Sequence, residues 1–223
     1  MNISRYLSLL LILLAAGKGP ALAEPDSTFI PALRAGLDVS SIARHLMEPA
    51  ARTLEATIDW EWRKNWFAAA EAGTLQVGVD KSSHNYQANG WFFRLGADYN
   101  FLKRPDPTHQ DVVVASLRYG YGSLRHEAPF VRITDPFWGS LETVIPTESF
   151  SAHWLEFGGG LKTRIGRHFF LGWSVRTRFL ISRKGGEQMD PYTISGYGRS
   201  DRNTVVMMHY ALYYRIPLRA ISQ

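Results

Sequence analysis

The chain has 223 residues, no cysteine, and 25 basic against 20 acidic side chains, a net charge of +5. That length suits one domain of good size or two small ones, and the missing cysteines exclude disulfides, thiolate metal sites, a cysteine nucleophile and a lipoprotein anchor. The positive excess is scattered and forms no basic stripe, which excludes a nucleic-acid protein.

The first 23 residues read as a secretory leader. Asn2–Arg5 is a short positive region, Leu7–Ala16 is an apolar stretch, and Ala21-Leu22-Ala23 is a small-residue cleavage site. Cutting after Ala23 would remove Arg5 and Lys18. The basic count then falls from 25 to 23 against 20 acids, and the net charge from +5 to +3. Residues 24–223 read as a single domain. No later stretch reaches the roughly eighteen apolar residues of a transmembrane helix.

Eight segments then alternate between apolar and polar residues, the period of a β-strand, whose successive side chains point to opposite faces. The first is Ala32–Ile42, with Leu33, Ala35, Leu37 and Val39 opposite Arg34, Gly36, Asp38 and Ser40. In residues 53–62, Leu54, Ala56, Ile58, Trp60 and Trp62 oppose Thr53, Glu55, Thr57, Asp59 and Glu61. Residues 66–77 are alanine-rich, but the aromatic start, Gly73, Val77 and Gly78 favour a strand with Glu71 on its polar face. Residues 90–102 set Phe93, Leu95, Ala97, Tyr99 and Phe101 against Arg94, Gly96, Asp98 and Asn100. Residues 111–122 set Val113, Ala115, Leu117, Tyr119 and Tyr121 against Ser116, Arg118, Gly120 and Gly122. Residues 152–164 oppose Leu155, Phe157, Gly159 and Leu161 to Glu156, Gly158, Gly160 and Lys162. Residues 169–181 oppose Leu171, Trp173, Val175, Phe179 and Ile181 to Gly172, Ser174, Arg176 and Arg178. Finally, residues 204–218 oppose Val206, Met208, Tyr210, Leu212, Tyr214, Ile216 and Leu218 to His209, Ala211 and Arg215.

Short and long connections alternate. Arg63–Asn65, Lys103–Gln110 and Ile165–Arg167 are short. The segments near 43–52, 78–89, 123–151 and 182–203 are longer and rich in turn formers. A soluble β-barrel would alternate too, but four features point to the membrane. Most segments run ten to thirteen residues, near the roughly 9–11 that a tilted strand needs to cross a bilayer. Short turns alternating with long loops match outer-membrane barrels. Trp60, Trp62, Trp66 and Phe67 bracket the first short turn, Phe101, Phe169 and Tyr214 share its edge, and Trp91 and Tyr121 mark the other, as two interfacial girdles would. The polar faces carry seven bases, Arg34, Arg94, Arg118, Lys162, Arg176, Arg178 and Arg215. They also carry seven acids, Asp38, Glu55, Asp59, Glu61, Glu71, Asp98 and Glu156. A narrow lumen needs such a balance, because an isolated buried ion costs several kcal/mol. The expected fold is an all-β, closed, antiparallel, eight-stranded transmembrane barrel with short periplasmic turns and longer extracellular loops.

On Ala69-Ala70-Glu71-Ala72-Gly73, on Phe93–Asn100 and on the last strand, His209–Leu218, the chain resembles small eight-stranded outer-membrane barrels of the OmpA/OmpX type. It is also similar to an uncharacterised family of predicted outer-membrane barrels from Gram-negative bacteria. The resemblance covers roughly residues 30–218 and implies fold and location, not an activity. It departs at the end: Arg219–Gln223 follow the alternating Tyr210–Leu218, where such barrels commonly finish on an aromatic.

An interior filled by side chains leaves no continuous pore, so the charges read as a structural core. One enzymatic alternative is an acyl hydrolase like the outer-membrane lipid A deacylases, which the scaffold resembles in size. Ser151 and His153 lie two apart on one strand face, where imidazole could take the hydroxyl proton, and Glu148 or Glu142 could orient it. The deacylase order of His before Ser is reversed here. A soluble periplasmic ligand-binding barrel is the third reading. His84, His109, His126 and His153 show no metal spacing, so no cofactor or metal is expected. Residues 128–146, with Phe130, Ile133, Phe137, Trp138 and Ile145, form an unusually apolar loop. It is expected to cover the mouth, extend as strand, or meet a protein partner. Lys81, Arg125, Arg132, Arg183 and Lys184 are expected to meet lipopolysaccharide phosphates, and the protein is expected to be monomeric.

Overall fold

The computed structural model of the protein describes residues 31, 33–41, 50–103, 110–137 and 139–216. The leader with its cleavage site, His109, Trp138, Leu218 and Arg219–Gln223 lie outside the described residues.

Eight long strands form one ring: β1 (Leu33–Asp38), β2 (Ala51–Arg63), β3 (Trp66–Lys81), β4 (His84–Asn100), β5 (Val112–Asp135), β6 (Gly139–Arg164), β7 (Phe169–Lys184) and β10 (Thr204–Ile216). Between β7 and β10 lies a miniature pair, β8 (Thr193–Ile194) and β9 (Gly198–Arg199). Each barrel strand pairs antiparallel with its chain neighbour, and β1 closes the ring on β10, with Leu33 opposite Ile216 and Asp38 opposite Ala211. Closure gives every barrel strand a paired neighbour on both sides around the lower ring, while the β5–β6 extension beyond Val131 and Phe150 pairs only with itself. The tight β2–β3 turn places Asn65 at φ 66°, a left-handed conformation that asparagine tolerates well.

Side chains divide by face as the alternation dictates. Leu54, Ile58, Leu95, Leu117, Phe157 and Val206 point outward and are about half-exposed or more, while the charged faces of all eight strands point in. At the end with short turns, Trp60, Trp62, Trp66, Phe101, Phe169 and Tyr214 are exposed on the outer surface. Trp66 contacts Tyr99 at 4.9 Å and Phe169 contacts Tyr214 at 5.4 Å between ring centroids. Nearer the loop end Trp91 packs on Tyr121 at 5.5 Å. Phe67 departs from the girdle expectation. It is the second residue of β3 and faces inward, 1% exposed, because Trp66 before it takes the outward position.

Two connections expected as loops are strand. Residues 78–89 complete the β3–β4 hairpin around Ser82 and Ser83, and residues 123–151 extend β5 and β6 into a hairpin of 24- and 26-residue strands. The physical reason is a change of face. Below this level the outward residues of β4 are Trp91, Phe93, Leu95, Ala97 and Tyr99. Above it they are Asn85, Gln87 and Asn89, while Tyr86, Ala88 and Phe92 turn inward and are buried. β5 changes likewise, from outward Tyr119 and Tyr121 to outward Ser123 and Arg125, with Leu124 and Ala128 inside. The strand continues while its apolar side moves from the outside to the inside.

Candidate functional site

The lumen is stacked in layers. At the turn end Phe67, Val112 and Val114 form one buried apolar group, and Phe170, Ala211 and Tyr213 another. The Arg34 guanidinium lies 4.8 Å from the Phe67 ring centroid, and the Lys162 ammonium lies 5.1 Å from that of Tyr213, close enough for cation–π attraction.

Above this floor the charges interlock. Asp59 receives Arg34 at 2.7 Å and Lys162 at 2.6 Å. Lys162 also reaches Asp98 at 3.4 Å, and both Asp98 oxygens accept from Arg118 Nη2, at 3.0 and 3.1 Å. Glu71 collects Arg94 at 2.8 Å, Arg118 at 3.4 Å and Arg176 at 2.7 Å. Arg94 also pairs with Glu55 and lies 3.4 Å from Glu156, which takes Arg178 at 3.0 Å and the Trp154 indole N–H at 2.7 Å. β2 and β6 are diametrically opposite in the ring, as are β3 and β7. The Asp59–Lys162 and Glu71–Arg176 pairs therefore cross the full bore. What remains beside them is a void of ≈ 20 Å³ lined by Asp38, Glu55, Glu71, Arg176 and His209 among others, room for about one water molecule. Glu61 is buried on the same inner face, and Arg215 lies half-buried at the turn end of β10.

His209 has a defined tautomer. Arg178 Nη2 lies 2.7 Å from its Nε2, and guanidinium only donates, so Nε2 accepts. Nδ1 then carries the proton and donates to Asp38 at 3.0 Å. Among the described residues, Asp38, Glu55 and His209 are the one set of three potential metal ligands close together. Both ring nitrogens and both carboxylates are already engaged, by Arg178, Ser40 and Arg94 as well as by one another. The cluster fits a hydrogen-bonded assembly.

The long loop after β7 caps this network from inside. The segment Ile194–Tyr197 is buried in the lumen, where Arg178 donates to the Tyr197 carbonyl at 2.8 Å and the Tyr197 ring packs on Trp154 at 5.8 Å. Room for it comes from glycine. A Cβ on Gly90 or Gly122 would collide with Ser195, and one on Gly120 with the Trp154 indole. Gly158 and Gly160 similarly pass close to β7, where a Cβ would lie 2.6 Å from the Val175 and Trp173 carbonyl oxygens respectively. Sequence reading missed the plug and Trp154. The inward glycines at 90, 120 and 122, with Trp154 in even phase, were the available signal.

Above the plug Leu75, Val77, Tyr86, Ala88, Phe92, Leu124 and Phe150 form an apolar core with Trp154 and Ile194. His126 sits within it, 1% exposed, and neither ring nitrogen has a hydrogen-bond partner among the described residues. It lies above the outward apolar band of β5. Burial pushes its pKa down, against the pull of Glu148 and Asp190.

Ser151 and His153 keep the shared strand face expected of them, but neither carboxylate expected to orient the imidazole is brought to it. Ser151 and His153 lie on the outward face of β6 with Leu155 and Phe157; His153 Nδ1 meets the Tyr119 hydroxyl, and its ring lies 4.8 Å from that of Tyr121. Glu148 lies on the opposite, inward face, where its Oε1 accepts the backbone N–H groups of Gly186 at 3.1 Å and Glu187 at 2.8 Å. These N–H groups, Glu187 first, hold its carboxyl below the usual range. An even offset of residues keeps one face and an odd offset changes it, so Glu148 cannot orient His153. Glu142 is occupied on the protruding hairpin by Arg132 at 2.7 Å.

Comparison with known proteins gives distant structural likenesses and one family. The chain is similar to a major outer membrane protein from Thermus thermophilus, at 10% identity over 83% of this chain and 98% of that one, with a TM-score of 0.47. It is similar to Ail, the attachment invasion locus protein of Yersinia pestis, at 12% identity over 83% and 97%, with a TM-score of 0.42. It is also similar to the outer membrane protease OmpT from Escherichia coli, at 10% identity over 83% and 93%, with a TM-score of 0.40. No curated protein matches the sequence. Residues 3–220 match the family described as a domain of unknown function, DUF6048. The match spans nearly the whole chain, and the protein belongs to that family.

Proposed function

We propose that this protein is a non-enzymatic outer-membrane barrel without an open pore, which presents the long β5–β6 hairpin to a partner outside the cell. The observation that carries the reading is the change of face. Over the outer band apolar side chains face out and ions face in; beyond it the two exchange. A hydrocarbon slab around the lower barrel and water around the upper part account for both halves, whereas a soluble barrel would leave the lower outward band unexplained. Two ion pairs across the bore and the buried Ile194–Tyr197 segment argue against a channel. The hairpin supplies the surface. Ile133, Phe137, Leu141 and Val144 are 56%, 93%, 64% and 64% exposed, which is unusual for a water-facing extension unless something covers it. Arg125, Arg183 and Lys184 are exposed at the same end, where lipopolysaccharide phosphates would lie.

The experiment is photo-crosslinking in intact cells with a photoreactive residue at Phe137 or Val144, alongside lipid A mass spectra from overexpressing cells. An adduct at these positions, absent from a control at exposed Arg202, supports the reading. No adduct at either position removes the hairpin from it, and loss of an acyl chain from lipid A would restore the hydrolase alternative.

A further inference from the structure

The upper barrel contains a second feature that the hairpin reading does not use. Between the inner faces of β3, β4, β5 and β6 and the loop after β7 opens a cavity of ≈ 720 Å³. Its wall includes Val77, Val79, Ala128, Val131, Ile145 and Met189, and it is continuous with the apolar core above the plug. The volume lies within the roughly 300–1,000 Å³ range of small-molecule sites, and so does the chemistry, largely apolar with a few polar groups at fixed places.

Charge at the rim selects among apolar ligands. Arg132 is paired with Glu142 at 2.7 Å, and Asp190 with Arg183 at 3.5 Å. Lys81, at the tip of the β3–β4 hairpin opposite His84, has no ion-pair partner among the described residues. One unpaired cation above one apolar cup is complementary to one anion on one alkyl chain. The cup also occurs where it needs an explanation: outward residues at this level, such as Gln76, Gln87 and Asn89, are polar, whereas the concave side leaves Val79, Val131 and Ile145 only partly buried.

We infer that this cup is a binding site for a long-chain fatty acid, its alkyl chain between Val79, Val131 and Ile145 and its carboxylate at Lys81. The inference is independent of any partner for the hairpin.

The test uses the folded full-length barrel in phosphatidylcholine nanodiscs and 11-(dansylamino)undecanoic acid, with protein-free discs as background. Saturable fluorescence enhancement is expected. Val79→Trp, which fills the cup, should weaken binding about tenfold or more, equivalent to at least about 1.4 kcal/mol. Val79→Asp should do the same without adding bulk. Heat-dependent gel mobility identifies variants that remain folded. Lys81→Gln should weaken the acid about two- to fivefold, the scale of an exposed ion pair, and leave its methyl ester unchanged. Absence of a saturable signal above protein-free discs, or binding indifferent to both Val79 substitutions, would overturn the site. Equal affinity of wild type for acid and ester would overturn the carboxylate assignment.

Discussion

The two halves of the lumen are built by the same strands and solve opposite problems. In the lower half every barrel strand contributes an ion, a ring nitrogen or both, and the walls are tied by Asp59–Lys162 and Glu71–Arg176 across the bore. In the upper half the same inner faces carry Leu75, Val77, Phe92, Leu124 and Phe150, held by apolar contact with the Ile194–Tyr197 plug. The difference teaches that the surroundings set which face is oily. Where hydrocarbon lies outside, polar groups must satisfy one another inside; where water lies outside, the interior reverts to an ordinary core.

The sharpest way to break the lower half is to remove one ion and strand its partners. Arg94→Met leaves Glu55, Glu71 and Glu156 short of countercharge, which is expected to destabilise the barrel by about 3–5 kcal/mol. Urea unfolding in lipid vesicles would measure it, and adding Glu55→Gln should recover part of the loss. Replacing outward residues sharpens the boundary. Leu95→Arg should cost about 2–4 kcal/mol at bilayer depth, and Gln87→Arg, on the same face of the same strand, about 0–1 kcal/mol. In the upper half Gly122→Val should collide with Ser195 and cost about 1–3 kcal/mol as overpacking. Amide exchange should then rise across residues 185–203, with the lower network unchanged.

The smallest effect is a pH dependence confined to the mouth. His126 is buried, with Glu148 and Asp190 pulling its pKa up against burial and Tyr86 beside it. Its pKa is lowered on folding from the ordinary 6.5. Below about pH 6.5 the opened mouth therefore binds more protons than the closed one, and mouth stability falls with pH until the folded pKa is passed. Once corrected for the intrinsic slowing of amide exchange as pH falls, protection at residues 185–203 should drop between pH 7.5 and pH 5, and His126→Phe should flatten that response.

The eight strands and the inward charges were legible because alternation and sign balance are local properties. Residues 53–62 give their two faces without structure, and Ala51–Arg63 is the strand that forms. The upper extensions were not legible because the apolar phase switches. Tyr86 and Ala88 are apolar at even positions and Trp91 and Phe93 at odd ones, so a reading that follows one phase ends at residue 90 and names the rest a loop. Partner choice within the network was hidden for a different reason. Asp59 and Lys162 are far apart in sequence, and their contact depends on which strands end up opposite when the ring closes. The plug was hidden because Ser195 and Gly196 look like turn residues and are turn residues, but inside the barrel.

The central claim is that one strand changes its surroundings at Trp91 without changing direction. A cysteine-free chain allows a direct test by single substitutions along β4, labelled in reconstituted vesicles with a membrane-impermeant maleimide. Asn85→Cys and Gln87→Cys should react rapidly, while Leu95→Cys and Ala97→Cys should remain protected until detergent is added. Equal labelling of Leu95→Cys and Gln87→Cys in intact vesicles would contradict the account.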